Sequence, residues 1–295
     1  MSKVTLFIMS EKGYSVLEEI LNTFDAKIID FIVVGTDKNV SADFSEQILS
    51  LAKKRGIKTV KRNSVYHIKT RYALAISWRW LINYDSSKTQ LIILHDSLLP
   101  KYRGFAPLVN QLIQKETTIG VTAFIANKEF DKGDIIESKK ITISYPIKIQ
   151  EAILKITTLY KDLVFNILKR IEEENELATS PQNEANATYS LWRDEQDYKI
   201  NWSQSASEIK RFIDAVGFPY LGASTKLQGR IIRILDVEIE QDLVIINRDY
   251  GKILFMKENR PVVVCGQGML QIKEAVYDDN KKSIFPLQKF RLRFS

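Results

Sequence analysis

The sequence predicts a two-domain α/β protein, in which a mostly parallel sheet with helices on both faces precedes a smaller, β-rich open barrel. Three observations carry this prediction. Strand and helix signals alternate up to residue 175, a polar acidic segment follows, and short strands with turn signals recur towards the end. With 295 residues, of which 45% are hydrophobic, the chain is long enough to bury two separate cores.

In the first part of the chain, apolar runs alternate with stretches of helical periodicity. We predict strands at 4–8, 28–34, 73–76, 91–94, 119–125 and 135–143, and helices at 13–24, 44–55 and 148–175. In parallel sheets of this kind, ligands bind beyond the carboxyl ends of the strands. His95 directly follows the strand predicted at 91–94, so it lies where a ligand is expected.

The pattern changes after the long helix. Residues 176–188 contain no lysine, arginine or aromatic residue and are predicted to be a linker. A capping-box pattern at Ser205 and Glu208 predicts a helix that runs to Val216. Strands are then predicted at 231–239, 244–247, 252–256, 262–264 and 270–275. The predicted domains are therefore 1–175 and 189–295, joined by the linker.

Composition and charge exclude several classes of protein. The formal net charge of +7 is spread over both predicted domains, so neither resembles a basic nucleic-acid-binding module. Cys265 is the single cysteine, which excludes an internal disulfide and a thiolate metal cluster. The two histidines, His67 and His95, leave little for a metal site, so no metal is predicted. The first residues are too short and polar for a signal peptide or membrane span, and we expect a cytoplasmic protein.

The most informative segment is HDSLLPKYRG at residues 95–104, which proline and glycine keep from forming an early helix. Together with GVTAFIANKEFDKGDII at 120–136, this segment resembles the formyltransferases that use 10-formyltetrahydrofolate. The pattern of that family is Asn-x-His-x-Ser-Leu-Leu-Pro, followed closely by Arg-Gly. A third block, residues 189–223, is similar to the start of the carboxyl-terminal domain of methionyl-tRNA and nucleotide-sugar formyltransferases.

The resemblance implies a Rossmann-like catalytic domain followed by an OB-like domain, with 10-formyltetrahydrofolate as the formyl donor and no metal. It implies that His95 moves protons and that Asp131 is its carboxylate partner. The residues that match donor-binding positions of the family are Ser77, Trp78, Arg79, Leu98, Leu99, Asn127, Lys128, Glu129 and Phe130. The residues expected to contact the acceptor are Tyr102, Arg103, Trp192 and Tyr220.

One position departs from the family pattern. Two residues before the histidine, the family has an asparagine whose amide stabilises the developing oxyanion, and this chain has Ile93. Three accounts stay open. Another donor replaces the amide, with Ser77, Asn110 and Asn127 as candidates; or His95 is the principal donor; or the chain only binds folate. Because both the histidine and the aspartate are present, loss of activity is the least favoured account.

The charge pattern favours a nucleotide-linked amino sugar as the formyl acceptor over initiator tRNA. Residues 171–188 carry five glutamates and no positive charge, and only Lys115 is basic between Gly104 and Gly120. A tRNA acceptor stem requires phosphate contacts, which such a surface does not supply. A small-molecule acceptor without nucleic-acid or membrane partners is therefore expected, in a surface-glycan pathway. The alternatives are a methionyl-tRNA formyltransferase and a non-catalytic folate-binding homologue, and a homodimer through the second domain stays open.

Overall fold

The structure is a computed structural model and describes residues 3–37, 40 and 42–295. Residues 1 and 2, which belong to the segment considered for a leader, lie outside the described residues. The chain divides into two compact units. The first comprises Met1–Leu108, Thr117–Ile143 and Glu151–Leu191, and the second comprises Val109–Glu116, Ser144–Gln150 and Trp192–Ser295. The division after Leu191 differs from the predicted linker at 176–188, because those residues hydrogen-bond within the first unit.

The first unit is built on a mostly parallel sheet, as predicted. In its described part the strands are β1 (Val4–Ile8), β2 (Ile29–Val34), β3 (Lys58–Lys61), β4 (Tyr72–Ile76), β5 (Gln90–His95), β6 (Arg103–Gly104), β7 (Thr118–Ile125), β8 (Ile135–Thr142) and β9 (Tyr189–Ser190). The main sheet has the order β3-β2-β1-β4-β5-β7-β8. The pairs from β3 to β5 are parallel, whereas β7 is antiparallel to both β5 and β8. The sequence patterns missed β3 because this edge strand, KTVK, has no apolar run.

Helices alternate with these strands along the chain. They are α1 (Ser10–Thr23), α2 (Ser45–Lys54), α3 (Pro107–Ile113) and α4 (Ile149–Glu172), of which α3 and α4 each contribute residues to both units. In α1 the buried residues Val16, Leu17 and Ile20 recur at the helical period and form one apolar face. Phe24, which follows α1, packs on Phe165 of α4 with 5.6 Å between the ring centroids. Within residues 3–37, 40 and 42–295, no helix has an apolar stretch long enough to cross a membrane.

One face of the main sheet carries a buried apolar cluster. Its residues alternate along neighbouring strands, and they are Phe7, Phe31, Val33, Ala73, Ala75 and Leu91. Trp78 and Tyr84 from the loops pack against this cluster, and so does Ile93 of β5. Because Ile93 and His95 are two residues apart in one strand, their side chains point to the same face. The face that bears His95 is therefore apolar almost to the end of β5.

The second unit contains helix α5 (Ala206–Val216) and an antiparallel sheet, which confirms the predicted β-rich domain. The strands are β10 (Ala223–Leu227), β11 (Arg230–Glu240), β12 (Ile253–Lys257), β13 (Arg260–Val264) and β14 (Met269–Tyr277), in the order β10-β11-β14-β13-β12. The capping box at the start of α5 is present, with Ser205 and Glu208 as its partners.

The prediction of a strand at 244–247 is wrong. These residues form a loop in which Val244 is 99% exposed. The guanidinium of Arg248 donates hydrogen bonds to Asp242 and to the carbonyls of Leu243, Cys265 and Gly268, and these bonds fix the loop without strand pairing.

The final residues of the chain contact both edges of this antiparallel sheet. Ser295 exchanges two backbone hydrogen bonds with Lys226 of β10, at 2.7 and 3.0 Å. On the other edge, the amide of Ile253 in β12 donates to the carbonyl of Leu292 at 3.1 Å. Phe294 lies between these contacts with 1% of its surface exposed and stacks on Trp202. Residues 292–295 thus join the two edge strands and bury a large aromatic side chain.

We expect Phe294→Ala to destabilise the second unit strongly, because it leaves a cavity in the core and loosens the contact between β10 and β12. The expected loss of unfolding free energy is about 3–5 kcal/mol, measured by urea denaturation. The matched control is Phe290→Ala, since Phe290 is 48% exposed. Equal losses for the two variants would contradict a packing role for Phe294.

Candidate active site

His95 is the last residue of β5, and its side chain is 9% exposed. Its Nε2 lies 2.8 Å from the carbonyl oxygen of Tyr102. A carbonyl can only accept a hydrogen bond, so Nε2 carries a proton and the neutral ring has its lone pair on Nδ1. Nδ1 is therefore the nitrogen of His95 that can take up and release a proton.

Asp131 lies in the loop between β7 and β8 and faces that nitrogen. Its Oδ2 is 3.9 Å from His95 Nδ1, which is ion-pair distance for a charged ring but too long for a direct hydrogen bond. The same oxygen accepts a 2.7 Å hydrogen bond from the backbone N–H of Gly104. Asp131 has a left-handed backbone with φ 55°, and a Cβ on Gly133 would lie 1.6 Å from the carbonyl oxygen of Ile125. The D-K-G sequence thus forms a tight turn that presents the carboxylate.

The two recognised motifs hold each other in place. The hydroxyl of Thr122, in the Gly-Val-Thr block on β7, donates to the carbonyl of Ser97 at 2.7 Å and accepts from the amide of Leu99 at 3.1 Å. The Ser97 hydroxyl closes the turn by donating to the carbonyl of Lys101 at 2.6 Å. A Cβ on Gly120 would lie 2.5 Å from Leu98 Cδ2. The motifs need hydroxyl side chains at Thr122 and Ser97 for these hydrogen bonds, and a glycine at position 120 because Leu98 lies so close.

A charged cluster lies directly after His95. Both carboxylate oxygens of Asp96 are 2.6 Å from Nζ of Lys12, the buried lysine of α1. The hydroxyl of Tyr160 in α4 lies 2.5 Å from Asp96 Oδ1 and 3.0 Å from the carbonyl of Leu94. Burial, and then the charge of Asp96, raise the pKa of Tyr160 well above its usual value, so the phenol stays a donor. The cluster anchors the end of β5 to two helices.

Arg103 does not have the environment expected of an acceptor-binding residue. Its side chain is fully buried, and its five N–H groups are directed at Gln182, Glu184 and Tyr189. Hydrogen bonds with Glu184 raise the pKa of Arg103 and lower the pKa of Glu184, so the pair is charged at neutral pH. In the described structure, therefore, this guanidinium braces the chain and has no surface for a ligand.

Residues 77–79 follow β4, one strand away from His95 in the sheet. Ser77 has a left-handed backbone with φ 58°, and its hydroxyl hydrogen-bonds that of Ser10 at 2.9 Å. Arg79 forms an ion pair with Asp37 at 2.6 Å. The indole N–H of Trp78 is buried and has no hydrogen-bond partner in the described part of the chain. A buried donor of this kind is suited to an acceptor atom of a ligand.

The other positions predicted to bind the donor differ in exposure. Leu99 is 7% exposed and belongs to the core, whereas Leu98 is partly exposed. Asn127, Lys128, Glu129 and Phe130 form an exposed loop that leads to Asp131, with Phe130 72% exposed. The Asn127 side chain accepts from the amide of Glu129 at 2.8 Å, and Glu129 pairs with Lys132.

The predicted acceptor residues fall in different units. Tyr102, half-buried with φ 58°, provides the carbonyl that orients His95. Trp192 and Tyr220 belong to the second unit, where Trp192 is 62% exposed. Asn110, a candidate replacement for the missing asparagine, also belongs to the second unit and lies 3.3 Å from Arg193 Nη1.

The sequence patterns missed Gln182, Glu184 and Thr188, which all contact residues 102–104 or the Asp131 loop. Their composition indicated a linker, and no local pattern distinguishes a bound glutamine from a solvated one. Among the residues described, no group of three or more histidine, cysteine, aspartate or glutamate side chains is placed to hold a metal ion.

Two family profiles match this chain. The profile described as "Formyl transferase" matches residues 50–158, and "Formyl transferase, C-terminal domain" matches residues 193–287. The first match includes His95 and the turn at Asp131, and the second includes the antiparallel sheet of the second unit. The chain belongs to the formyl transferase family.

Among curated relatives, the methionyl-tRNA formyltransferase of Alkaliphilus oremlandii is 32% identical over 192 residues, which cover 65% of this chain and 60% of that protein. The chain thus matches less than two thirds of this relative's length. Among solved structures, the sugar 3N-formyl transferase WlaRD, determined with dTDP and 5-N-formyl-THF, has a TM-score of 0.68 and 19% identity. The superposition covers 92% of this chain and 97% of the WlaRD chain.

A second solved structure is the N-formyltransferase from Helicobacter canadensis in complex with folinic acid and dTDP-3-aminofucose. It has a TM-score of 0.67 and 18% identity, and covers 92% of this chain and 98% of its own. At this level of identity, both structures establish the shared two-domain fold.

Gly104 is required by a close approach of two backbones, and Gly104→Ala tests this. Its φ is +98°, and a Cβ there would lie 2.4 Å from the carbonyl oxygen of Ser190. We expect Gly104→Ala to lower the unfolding free energy by more than about 2 kcal/mol, from backbone strain and steric overlap together.

The matched control is Gly56→Ala, with φ +69° and no atom within 4 Å of the added Cβ. It carries only the backbone strain, about 1–2 kcal/mol. Both variants are measured by thermal and urea unfolding, and equal effects would show that the approach of Ser190 is unimportant.

Proposed function

We propose that this chain is an N-formyltransferase that moves a formyl group from 10-formyltetrahydrofolate to the amine of a nucleotide-linked amino sugar. The observation that carries the proposal is the placement of His95 Nδ1 opposite the Asp131 carboxylate, at the end of β5 in a sheet of this family. A proton acceptor and a carboxylate that stabilises its charged form are the groups that amine acylation requires.

His95 acts through Nδ1, because Nε2 is held by the carbonyl of Tyr102. The lone pair on Nδ1 accepts the proton that the acceptor amine loses. The imidazolium so formed is stabilised by the carboxylate of Asp131 and can return the proton to a leaving nitrogen. The N–H of Gly104 holds that carboxylate in place.

The residues around His95 suit a bound folate. Bound 10-formyltetrahydrofolate would supply the formyl group. It would be held by residues 77–79, Leu98 and the loop at 127–130. The buried indole N–H of Trp78, which has no partner among the residues described, is suited to an acceptor atom on the pteridine. Leu99 is buried in the core, so it would support the donor-binding residues and not contact the folate itself.

The position where the family has its asparagine is Ile93, which has no amide. Its side chain packs against the apolar cluster. Of the candidate replacements, the Ser77 hydroxyl is hydrogen-bonded to that of Ser10. The Asn127 carbonyl oxygen caps its own turn, which does not use the NH₂ group that an oxyanion would need. His95, once it has taken up the amine proton, is the donor favoured here, because its ring lies at the end of β5 whereas Asn127 lies in an exposed loop.

The surface charge supports a nucleotide sugar as the acceptor. Four exposed glutamates end α4 or follow it, at Glu172, Glu173, Glu174 and Glu176, and the fifth glutamate of this stretch is paired with Arg103. An acidic surface repels the phosphates of an acceptor stem. The two dTDP-containing structures with the same fold are consistent with this acceptor class.

Methionyl-tRNA formyltransferase is the second candidate. The specific observation in its favour is the 32% identity with the curated relative of that name. A folate-binding homologue without activity is the third, and its basis is the isoleucine at position 93.

A substrate panel distinguishes the acceptors. The chain is incubated with 10-formyltetrahydrofolate and dTDP-linked 3-amino or 4-amino sugars, and separately with aminoacylated initiator tRNA, while release of tetrahydrofolate is followed. We expect turnover with at least one amino sugar and a weak dependence on salt. Turnover with the charged tRNA alone, falling steeply with salt concentration, would establish the second candidate instead.

Variants of the catalytic pair test the roles of the two side chains. His95→Ala and Asp131→Ala should each lower kcat about 10²- to 10⁴-fold, because each removes part of the proton transfer. The matched controls are His67→Ala, at the other histidine, and Asp134→Ala, three residues from Asp131; both controls alter exposed side chains. Near-normal turnover in either catalytic variant would contradict the assignment.

A further inference from the structure

The side chain of Gln182 joins the Asp131 turn to Arg103. Its Nε2 donates one hydrogen bond to the carbonyl of Asp131 and one to the carbonyl of Gly133, both at 2.8 Å. Its Oε1 accepts from Nε and Nη2 of Arg103, at 3.1 and 2.8 Å. Both ends of the amide are therefore used, and the side chain has one orientation that satisfies every bond.

Arg103 is itself immobilised. The carboxylate of Glu184 receives Nη1 and Nη2 at 2.9 and 2.6 Å, a two-point contact that fixes the plane of the guanidinium. Tyr189 lies 3.3 Å from Nη1. A buried guanidinium bound on all sides is a rigid support for the glutamine beside it.

The main chain next to Arg103 contacts both catalytic groups. The carbonyl of Tyr102 orients His95, and the amide of Gly104 holds the Asp131 carboxylate. Asp131 needs such support because its left-handed backbone is unfavourable for a residue with a side chain and relaxes unless neighbouring contacts hold it. Gln182 supplies two hydrogen bonds to the backbone of that turn.

We propose that Gln182, supported by Arg103 and Glu184, is a positioning residue that sets the distance between the Asp131 carboxylate and His95. The proposal rests on the formyl transfer proposed above. It gives a role in the site to Gln182, which is 51 residues from Asp131 in the sequence. Gln182 reaches the backbone of the turn, so it acts through Asp131 and not on the substrates.

A double-mutant cycle tests this role. Gln182→Met keeps the length of the side chain and removes its donors and acceptor. We expect kcat to fall about ten- to hundredfold, with the KM values for 10-formyltetrahydrofolate and for the amino-sugar acceptor changed less than about threefold. In an Asp131→Ala background, Gln182→Met should lower kcat no further, because the group that it positions is absent.

The control is Asn183→Ala, which changes the neighbouring exposed amide, whose carbonyl caps only the amide of Ala185. It should match the wild type. If Gln182→Met does not fold, Gln182→Glu replaces it, since glutamate keeps an acceptor for Arg103 and loses both donors to the turn.

Amide hydrogen exchange measures the positioning without any reaction. In Gln182→Met, exchange of the Gly104 amide, which donates to the Asp131 carboxylate, should accelerate at least tenfold. The flanking amides of Arg103 and Phe105 donate to the carbonyls of Thr188 and Ser190 and should keep their rates, which makes them internal controls.

The outcomes separate this proposal from the proposed function. If the wild type transfers formyl, Asp131→Ala does not, and Gln182→Met equals the wild type, the positioning role is overturned and the proposed function stands. Equal kcat losses from Gln182→Met in both backgrounds would also overturn the positioning role. If the wild type formylates no acceptor, the proposed function fails, and unchanged Gly104 exchange in Gln182→Met then overturns the positioning role separately.

Discussion

The geometry of the site depends on a short parallel pairing between residues 103–104 and residues 189–190. The amide of Arg103 donates to the carbonyl of Thr188 at 2.9 Å, and the amide of Phe105 donates to that of Ser190 at 3.0 Å. This pairing fixes the main chain at Tyr102 and Gly104, whose carbonyl and amide contact His95 and Asp131 respectively. A carbonyl then selects the tautomer of His95, and an amide orients the carboxylate of Asp131.

The pairing also supports backbone conformations that would not persist alone. Tyr102 and Asp131 both have left-handed backbones, which are unfavourable for residues with a side chain. Such conformations are kept where several contacts act on the same few atoms. The hydroxyl of Thr188 on the amide of Tyr102 and the amide of Gln182 on the carbonyl of Asp131 are contacts of this kind.

Much of this fold could be predicted from periodicity, because the strands of the main sheet are apolar runs and the helices have one buried stripe. His95 was predicted at a strand end for that reason, and a family motif paired it with Asp131. Gln182 could not be found in this way, since its partners, two backbone carbonyls and the guanidinium of Arg103, lie far away in sequence. The strand prediction at 244–247 is wrong because an apolar run alone cannot show whether another strand is available to pair with it.

The acidic stretch after α4 shows why composition alone misleads. Polar residues without aromatic side chains are typical of solvated linkers, yet Glu184 pairs with a buried arginine and Ser180 exchanges hydrogen bonds with Ile135 of β8. Hydrogen bonds order much of this stretch, in addition to the burial of Leu177. A hydrophobicity pattern does not detect that kind of order.

The contact of residues 292–295 with both edges of the second sheet has a consequence for biosynthesis. During translation, β10 and β12 emerge before residues 292–295. The edge of β10 therefore lacks these bonds until Ser295 is made, and the edge of β12 lacks its bond until Leu292 is made. The first unit has all of its segments once Leu191 has been made. The edge contacts that residues 292–295 make in the second unit can therefore form only after every segment of the first unit has been synthesised.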